Sequence, residues 1–179
     1  TLYDGSDPAL IAECFNLCHH YEQEFSRTLE NSALYRLNHE TVAERRLSKD
    51  LQSLITTGLS YYERSNGLFD ITVAPLSDLW QFSSANPSVP DTTALHEALK
   101  HVDASKLSMN GDILRYEDTS IQLDLGGIAK GYIADRLKEY LVEHGVTAAL
   151  IDLGGNILCI GSKPDGSPFR VGIREPFAP

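Results

Sequence analysis

Apolar positions recur at helical spacing through the first half of the chain and alternate with polar ones through much of the second. Ile11, Cys14, Phe15, Cys18 and Phe25 repeat with a helical period and predict a first helix. Asp7-Pro8 opens it, because an Asp side chain caps free amides and proline tolerates the first helical position. A short second helix is expected near Asn31-Ser32, carrying Leu34 and Leu37. The third pattern is the clearest: Ser48 as cap, then Leu51, Leu54, Ile55, Leu59 and Tyr62 as one stripe, then Asn66-Gly67 as the left-handed stop.

Phe69, Ile71 and Val73 alternate with Asp70 and Thr72, which predicts a strand over 69–73. The Ser/Asn/Pro-rich stretch 83–90 reads as a loop, and Asp91 caps a helix holding Leu95, Leu99 and Val102. Strands at 107–109 and 113–116 flank Asn110-Gly111, a two-residue hairpin signal. Another strand is expected at 121–125, then a helix from Ile128 to His144 stopped by Gly145. Strands at 148–153, 157–160 and 169–173 complete the pattern, with Lys163-Pro164-Asp165-Gly166 as the turn before the last. Helices first and hairpin-linked strands afterwards make an α+β chain.

Composition narrows the function classes. The 179 residues suit one domain and are enough to bury a core. Lys plus Arg number 15 against 25 Asp plus Glu, a net charge of −10, which disfavours nucleic-acid backbones and anionic lipid as partners. With 42% hydrophobic and 22% charged residues, the chain is globular rather than disordered. No apolar run approaches the roughly 20 residues of a membrane helix, so direct membrane insertion is not expected. Three cysteines do not make a disulfide scaffold. Cys14 and Cys18, four apart, suit either a metal pair with His19 or the buried face of a helix. The lack of a second Cys or His pair at zinc spacing favours burial. His19-His20 reads as surface.

Three segments carry candidate chemistry. In Asp124-Leu125-Gly126-Gly127-Ile128-Ala129-Lys130-Gly131-Tyr132, a glycine pair leads into a helix. Glycines permit close backbone approach, and a helix start offers free amides to an anion, with Lys130 one turn in. Asp124 suits a ligand hydroxyl, a ring N–H or a metal; the plain alternative is a tight turn beside a solvated lysine. The spacing matches neither a Rossmann fingerprint nor a P-loop. In the second segment, 65–76, Asp70 stands where Asp is depleted, either as a site carboxylate or as a turn cap. Trp80 and Phe82 beyond it suit a cleft or, more simply, core packing. The third segment, Ile151-Asp152-Leu153-Gly154-Gly155-Asn156, echoes the Asp-Leu-Gly-Gly of the first, and Arg170 and Arg174 follow it as ion-pair or phosphate partners.

Four ordered stretches together resemble one family. They are Phe25-Ser26 with Ser32, Leu34 and Leu37-Asn38; Ser65 to Leu76; Leu123 to Tyr132; and Leu153-Gly154-Gly155-Asn156 with Gly172-Ile173-Arg174-Glu175-Pro176. The chain resembles the ApbE-type flavin transferases, the FAD:protein FMN transferases. The resemblance implies a T-fold-like architecture with helices packed on mostly antiparallel sheets. It implies transfer of FMN from FAD to a Thr or Ser of a target flavoprotein, with release of AMP and dependence on magnesium. FAD binding without transfer is the alternative. Carried over by position, Leu68, Phe69, Asp70, Asp124 and Lys130 match FAD-site residues, Thr28 more loosely, and the Gly127 carbonyl matches a magnesium ligand. The family's opening Met-Gly-Thr-like strand is missing from this sequence. So is its C-terminal third, which carries a His-x-x-Asp-Pro-x-x-Gly stretch. The resemblance therefore implies one incomplete domain over 1–179 that is inactive alone, and none of the six His matches the catalytic one. It also implies a parent protein outside the cytoplasm, anchored at a membrane surface.

Overall fold

Helix caps and buried stripes set most of the architecture. The computed structural model describes residues 1–3, 7–81 and 88–177. Contacts divide the chain into two units, Thr1–His19 with Lys130–Pro179, and His20–Ala129. Helix α1 (Pro8–Phe25) starts where Asp7 accepts a bond from the Ala9 amide at 2.8 Å. Its inner face keeps Cys14, Cys18 and the buried Phe25 of the expected stripe but not Ile11 or Phe15. Leu10, Cys14, Leu17 and Cys18 pack inward, while Ile11 and Phe15 are exposed, Phe15 by 63%.

In the unit His20–Ala129, α2 (Ala33–His39) is capped by Ser32 and buries Leu34 and Leu37, as expected. Strand β1 (Glu44–Arg46) precedes α3 (Lys49–Arg64), which Ser48 caps through the Leu51 amide. Leu51, Leu54 and Ile55 are buried along α3. Gly58 on the same helix has no room for a side chain: a Cβ there would lie 2.6 Å from Ile71 Cγ2. Asn66 (φ +54°) and Gly67 (φ +80°) end the helix in the left-handed region. After α4 (Ala74–Leu79), Asp91 caps α5 (Thr92–Leu99), and the amides of Ala94 and Thr93 hold its carboxyl below the usual range. The expected loop at 83–90 falls mostly outside the described residues, as does Phe82. Strands β2 (Leu107–Asn110) and β3 (Ile113–Tyr116) join β1 in an antiparallel sheet of order β1-β3-β2. Asn110 pairs with Ile113, so the turn is Gly111-Asp112, one residue beyond the expected pair.

Two expected strands are replaced by loops held by side chains. Residues 69–73 form no strand, because Asp70 Oδ1 accepts the Thr72 amide at 2.7 Å and the Thr72 hydroxyl at 2.6 Å, which closes a turn. Residues 121–125 form none either. There the Asn38 side-chain amide bonds both Leu123 N–H and Leu123 C=O, at 2.8 and 2.9 Å, where a strand would have a neighbouring backbone.

In the other unit, α6 (Gly126–Glu143) supplies Ala134, Leu137 and Leu141, which form a core with Val146, Ala149, Ile151 and Ile160. The helix begins two residues before the expected Ile128, with its first turn in the unit His20–Ala129. Strands β4 (Ala149–Leu153) and β5 (Asn156–Ile160) form an antiparallel hairpin, and residues 1–3 run along the other edge of β4. Gly154 and Gly155 (φ +63° and +90°) make its turn. The two Asp-Leu-Gly-Gly stretches thus do different things: one opens a helix and the other turns a hairpin. The expected strand at 169–173 is absent; the segment forms no ladder among the described residues, and Ile173 is exposed. Mixed helices and antiparallel sheets agree with the α+β expectation.

Candidate functional site

A cavity of about 610 Å³ lies in the unit His20–Ala129, between the turn at 67–70, α4 and the first residues of α6. Leu68, Phe69, Asp70, Asp124 and Gly127 all line it, so five of the seven expected site residues meet there. Thr28 does not. It lines a separate depression of about 280 Å³ with Arg27, Tyr35 and Asp78. Lys130 is exposed on α6 and lines neither space.

Each lining group is placed by local chemistry. Ser65, past the end of α3, accepts the Phe69 amide at 2.9 Å and so fixes the turn that carries the ring. The Phe69 ring meets Tyr61 edge-on at 5.7 Å between centroids. It also covers Gly127, where a Cβ would lie 3.2 Å from Phe69 Cε2. Leu68 is almost fully exposed at the rim. Trp80 does not pack in the core as expected; it is 36% exposed and is not among the cavity's lining residues.

The two carboxylates differ. Asp70 is committed inward: beyond its two bonds to Thr72, Oδ2 accepts the Ala104 amide at 3.1 Å. Asp124 is held at both oxygens by single donors, Oδ1 by the Gly126 amide at 2.9 Å and Oδ2 by Arg27 Nε at 3.2 Å. A carboxylate has about four acceptor positions, so Asp124 keeps capacity for a ligand donor. The amides of Ile128 and Ala129 turn back to Leu125 C=O, while that of Gly127 has no acceptor among the described residues. An open amide at a helix start favours an anion, by about 0.3–1 kcal/mol.

Arg27 is the site residue the sequence reading passed over. The one available signal was a cation next to Ser26 in an acidic chain. Asn38, quoted within a motif but given no role, orders the backbone at Leu123.

The cysteines follow the packing reading. Cys14 and Cys18 pack against the core of their unit, and burial pushes both thiols above the usual value; Cys18 and Glu13 add to the effect at Cys14. His19 and His20 are exposed, as expected. Among the described residues, no three His, Cys, Asp or Glu side chains gather as a metal set. Gly127 offers one carbonyl, and the nearest carboxylates already serve Arg27 and backbone amides. These residues do not by themselves fit a magnesium site.

The model of the ApbE family matches residues 1–179. The FAD:protein FMN transferase of Treponema pallidum is 32% identical over 94% of this chain and 51% of its own length. One from Klebsiella pneumoniae is 30% identical over 96% of this chain and 54% of its own. The chain spans about half the length of the curated relatives it matches. Among solved structures, the flavin transferase ApbE from Vibrio cholerae superposes with a TM-score of 0.88 at 27% identity, over 96% of this chain and 57% of that one. The flavinyl transferase ApbE of Pseudomonas stutzeri, in its apo form, gives 0.86 at 28% identity, over 97% and 56%. A match along the whole chain, and a fold shared with solved ApbE proteins, show that this chain belongs to the ApbE family.

Proposed function

We propose that the protein is a flavin transferase that takes FAD into the 610 Å³ cavity and passes its FMN half to a Thr or Ser hydroxyl of a target flavoprotein. One observation carries the reading. Residues 67–70 and 124–127, far apart in the chain, meet at one cavity with an aromatic ring, a ligand-competent carboxylate and an open helix-start amide. The names of the relatives agree with it.

In the reaction, the pyrophosphate P–O bond of FAD breaks and the FMN phosphorus bonds to the acceptor oxygen. AMP leaves with the bridging oxygen, and the hydroxyl proton passes to a base. This chain's residues would bind and orient. The Phe69 ring supplies an apolar wall, Gly126 and Gly127 let phosphate approach the backbone, and Asp124 accepts from a flavin or ribose donor. Asp70 holds the turn that places Phe69. Thr28 and Lys130 stay with the family resemblance alone, since neither lines the cavity. The family resemblance adds magnesium with the Gly127 carbonyl as one ligand, a site that the residues of this cavity do not complete by themselves. No catalytic base is assigned. The reading includes an extracytoplasmic, membrane-anchored location, on the family resemblance. No helix among the described residues is long and apolar enough to cross a membrane.

Residues 1–179 alone should bind FAD without transferring FMN, so the test is to mix FAD, magnesium and a Thr-bearing acceptor protein with a chain that also carries the family's His-x-x-Asp-Pro-x-x-Gly stretch. Fluorescent flavin should stay on the acceptor through a denaturing gel, with AMP released in equal amount. Bound FAD with neither product would support the binding-module alternative, and no FAD binding would end both.

A further inference from the structure

Arg27 sits between two carboxylates that belong to different elements. Its Nη1 lies 2.6 Å from Asp78 Oδ1 on α4, and its Nε lies 3.2 Å from Asp124 Oδ2, just ahead of α6. The Arg27 and Asp124 side chains are both mostly buried, at 24% and 21% exposure, whereas Asp78 is 58% exposed. Arg27 and Asp78 line the smaller depression, and Asp124 lines the larger cavity, so one guanidinium ties the two walls together.

The geometry matters because guanidinium is a rigid planar fork. Its donors leave in fixed directions, so engaging Asp78 at one nitrogen fixes the approach of Nε to Asp124. On the opposite side, the Gly126 amide takes Asp124 Oδ1, and the Asp124 N–H donates to Ile71 C=O at 2.7 Å. The carboxylate is gripped from two sides, and the direction of its remaining acceptor positions is set. An ammonium at the same place would supply charge without that direction.

We propose that Arg27 is the positioning residue of the cavity: anchored by Asp78, it orients the Asp124 carboxylate for the ligand. The inference rests on reading the cavity as a flavin site, but its first consequence needs no ligand. Loss of the Arg27 fork frees Asp124 to rotate, and the Gly126 amide then loses its acceptor.

The experiment compares the chain with Arg27→Met, Arg27→Lys and Asp78→Asn. It reads the Gly126 amide resonance by ¹H–¹⁵N correlation and the FAD affinity by flavin fluorescence. In Arg27→Met, the Gly126 amide should shift upfield and exchange faster, while amides of the β4–β5 hairpin stay in place. FAD should bind about tenfold more weakly, the scale of a lost charge-assisted hydrogen bond. Arg27→Lys should recover neither effect fully, and a complete rescue by lysine would overturn the proposal in favour of a simple charge. Asp78→Asn, at an exposed site, should move Gly126 in the same direction by less, and serves if Arg27→Met does not fold. An unmoved Gly126 amide in the folded variants overturns the proposal. So does a moved amide with undiminished FAD affinity. If Gly126 moves as expected but the unaltered chain binds no FAD, Arg27 still orients Asp124 and the flavin reading is what fails.

Discussion

Gly161→Ala should lower stability by about 2–4 kcal/mol, a heavy loss for one methyl group. Gly161 follows β5 with φ +62°, a left-handed conformation that costs an L residue roughly 1–2 kcal/mol. An added Cβ would also fall on the Thr147 carbonyl oxygen, with the Thr147 carbon at 3.3 Å and Ala148 Cα at 3.9 Å. Those atoms are backbone leading into β4, so no side-chain rotation relieves the overlap, and overpacking of this kind costs roughly 1–3 kcal/mol. In a chain of this size, each kcal/mol moves the melting midpoint by about 2–4 °C. Gly154→Ala is the control. Its φ of +63° is the same, but nothing lies within 4 Å of the added atom, so it should lose only the backbone share. Equal losses in the two variants, measured by circular dichroism on heating, would show that the Thr147 contact is not what excludes a side chain at Gly161.

Asp70→Ala should cost about 3–5 kcal/mol, and in doing so separate a structural carboxylate from a ligand-binding one. Three donors converge on Asp70: the Thr72 amide, the Thr72 hydroxyl and the Ala104 amide. Thr72 is fully buried and Ala104 nearly so. Stranding a buried donor costs roughly 1–3 kcal/mol, with some relief where water reaches it. Asp70→Asn should fall between wild type and Ala, because its amide nitrogen must face one of the donors. The measurement is denaturant unfolding of the three proteins alongside FAD titration. A carboxylate that only contacts ligand would give the reverse result, with stability kept and affinity lost.

The fold was legible wherever its signals are local. Asp7, Ser32, Ser48 and Asp91 each cap a helix through their own side chains, and the residues that show this stand next to one another in sequence. Strands depend on a distant neighbour, which alternation does not reveal. At 69–73 and 121–125 the alternation is real, yet Asp70 and Asn38 supply the bonds a neighbouring strand would have made. Strand β1 had the opposite problem: Glu44-Arg45-Arg46 shows no apolar alternation, and it forms because Arg45 and Arg46 pair in register with Leu114 and Ile113 of β3. In α1, Cys14, Cys18 and Phe25 lie inward as expected, but Leu10 and Leu17 complete the face where the apolar Ile11 and Phe15 stand in the predicted stripe.

The site was legible in its motifs rather than in its wiring. Leu68, Phe69, Asp70, Asp124 and Gly127 stand in two short segments, and the fold brings both to one cavity. The reading gave Asp70 and Asp124 equal parts, whereas in the structure Asp70 takes three donors, from Thr72 and Ala104, and Asp124 takes two, which leaves Asp124 the greater capacity for a ligand. Arg27 escaped notice because its partners Asp78 and Asp124 lie far along the chain, and nothing in the local sequence links them.

The central claim is that FAD occupies the cavity at the Gly127 edge. The most direct test is a flavin-fluorescence titration of FAD into the chain and into Gly127→Val. A Cβ at Gly127 already comes within 3.2 Å of Phe69 Cε2, and valine adds two methyls where phosphate and backbone must approach. The account predicts saturable FAD binding by the unaltered chain. For Gly127→Val it predicts a dissociation constant raised at least about tenfold, or ~1.4 kcal/mol, with an unchanged melting midpoint. Equal FAD affinity in the two proteins, or no binding by the unaltered chain, would contradict it.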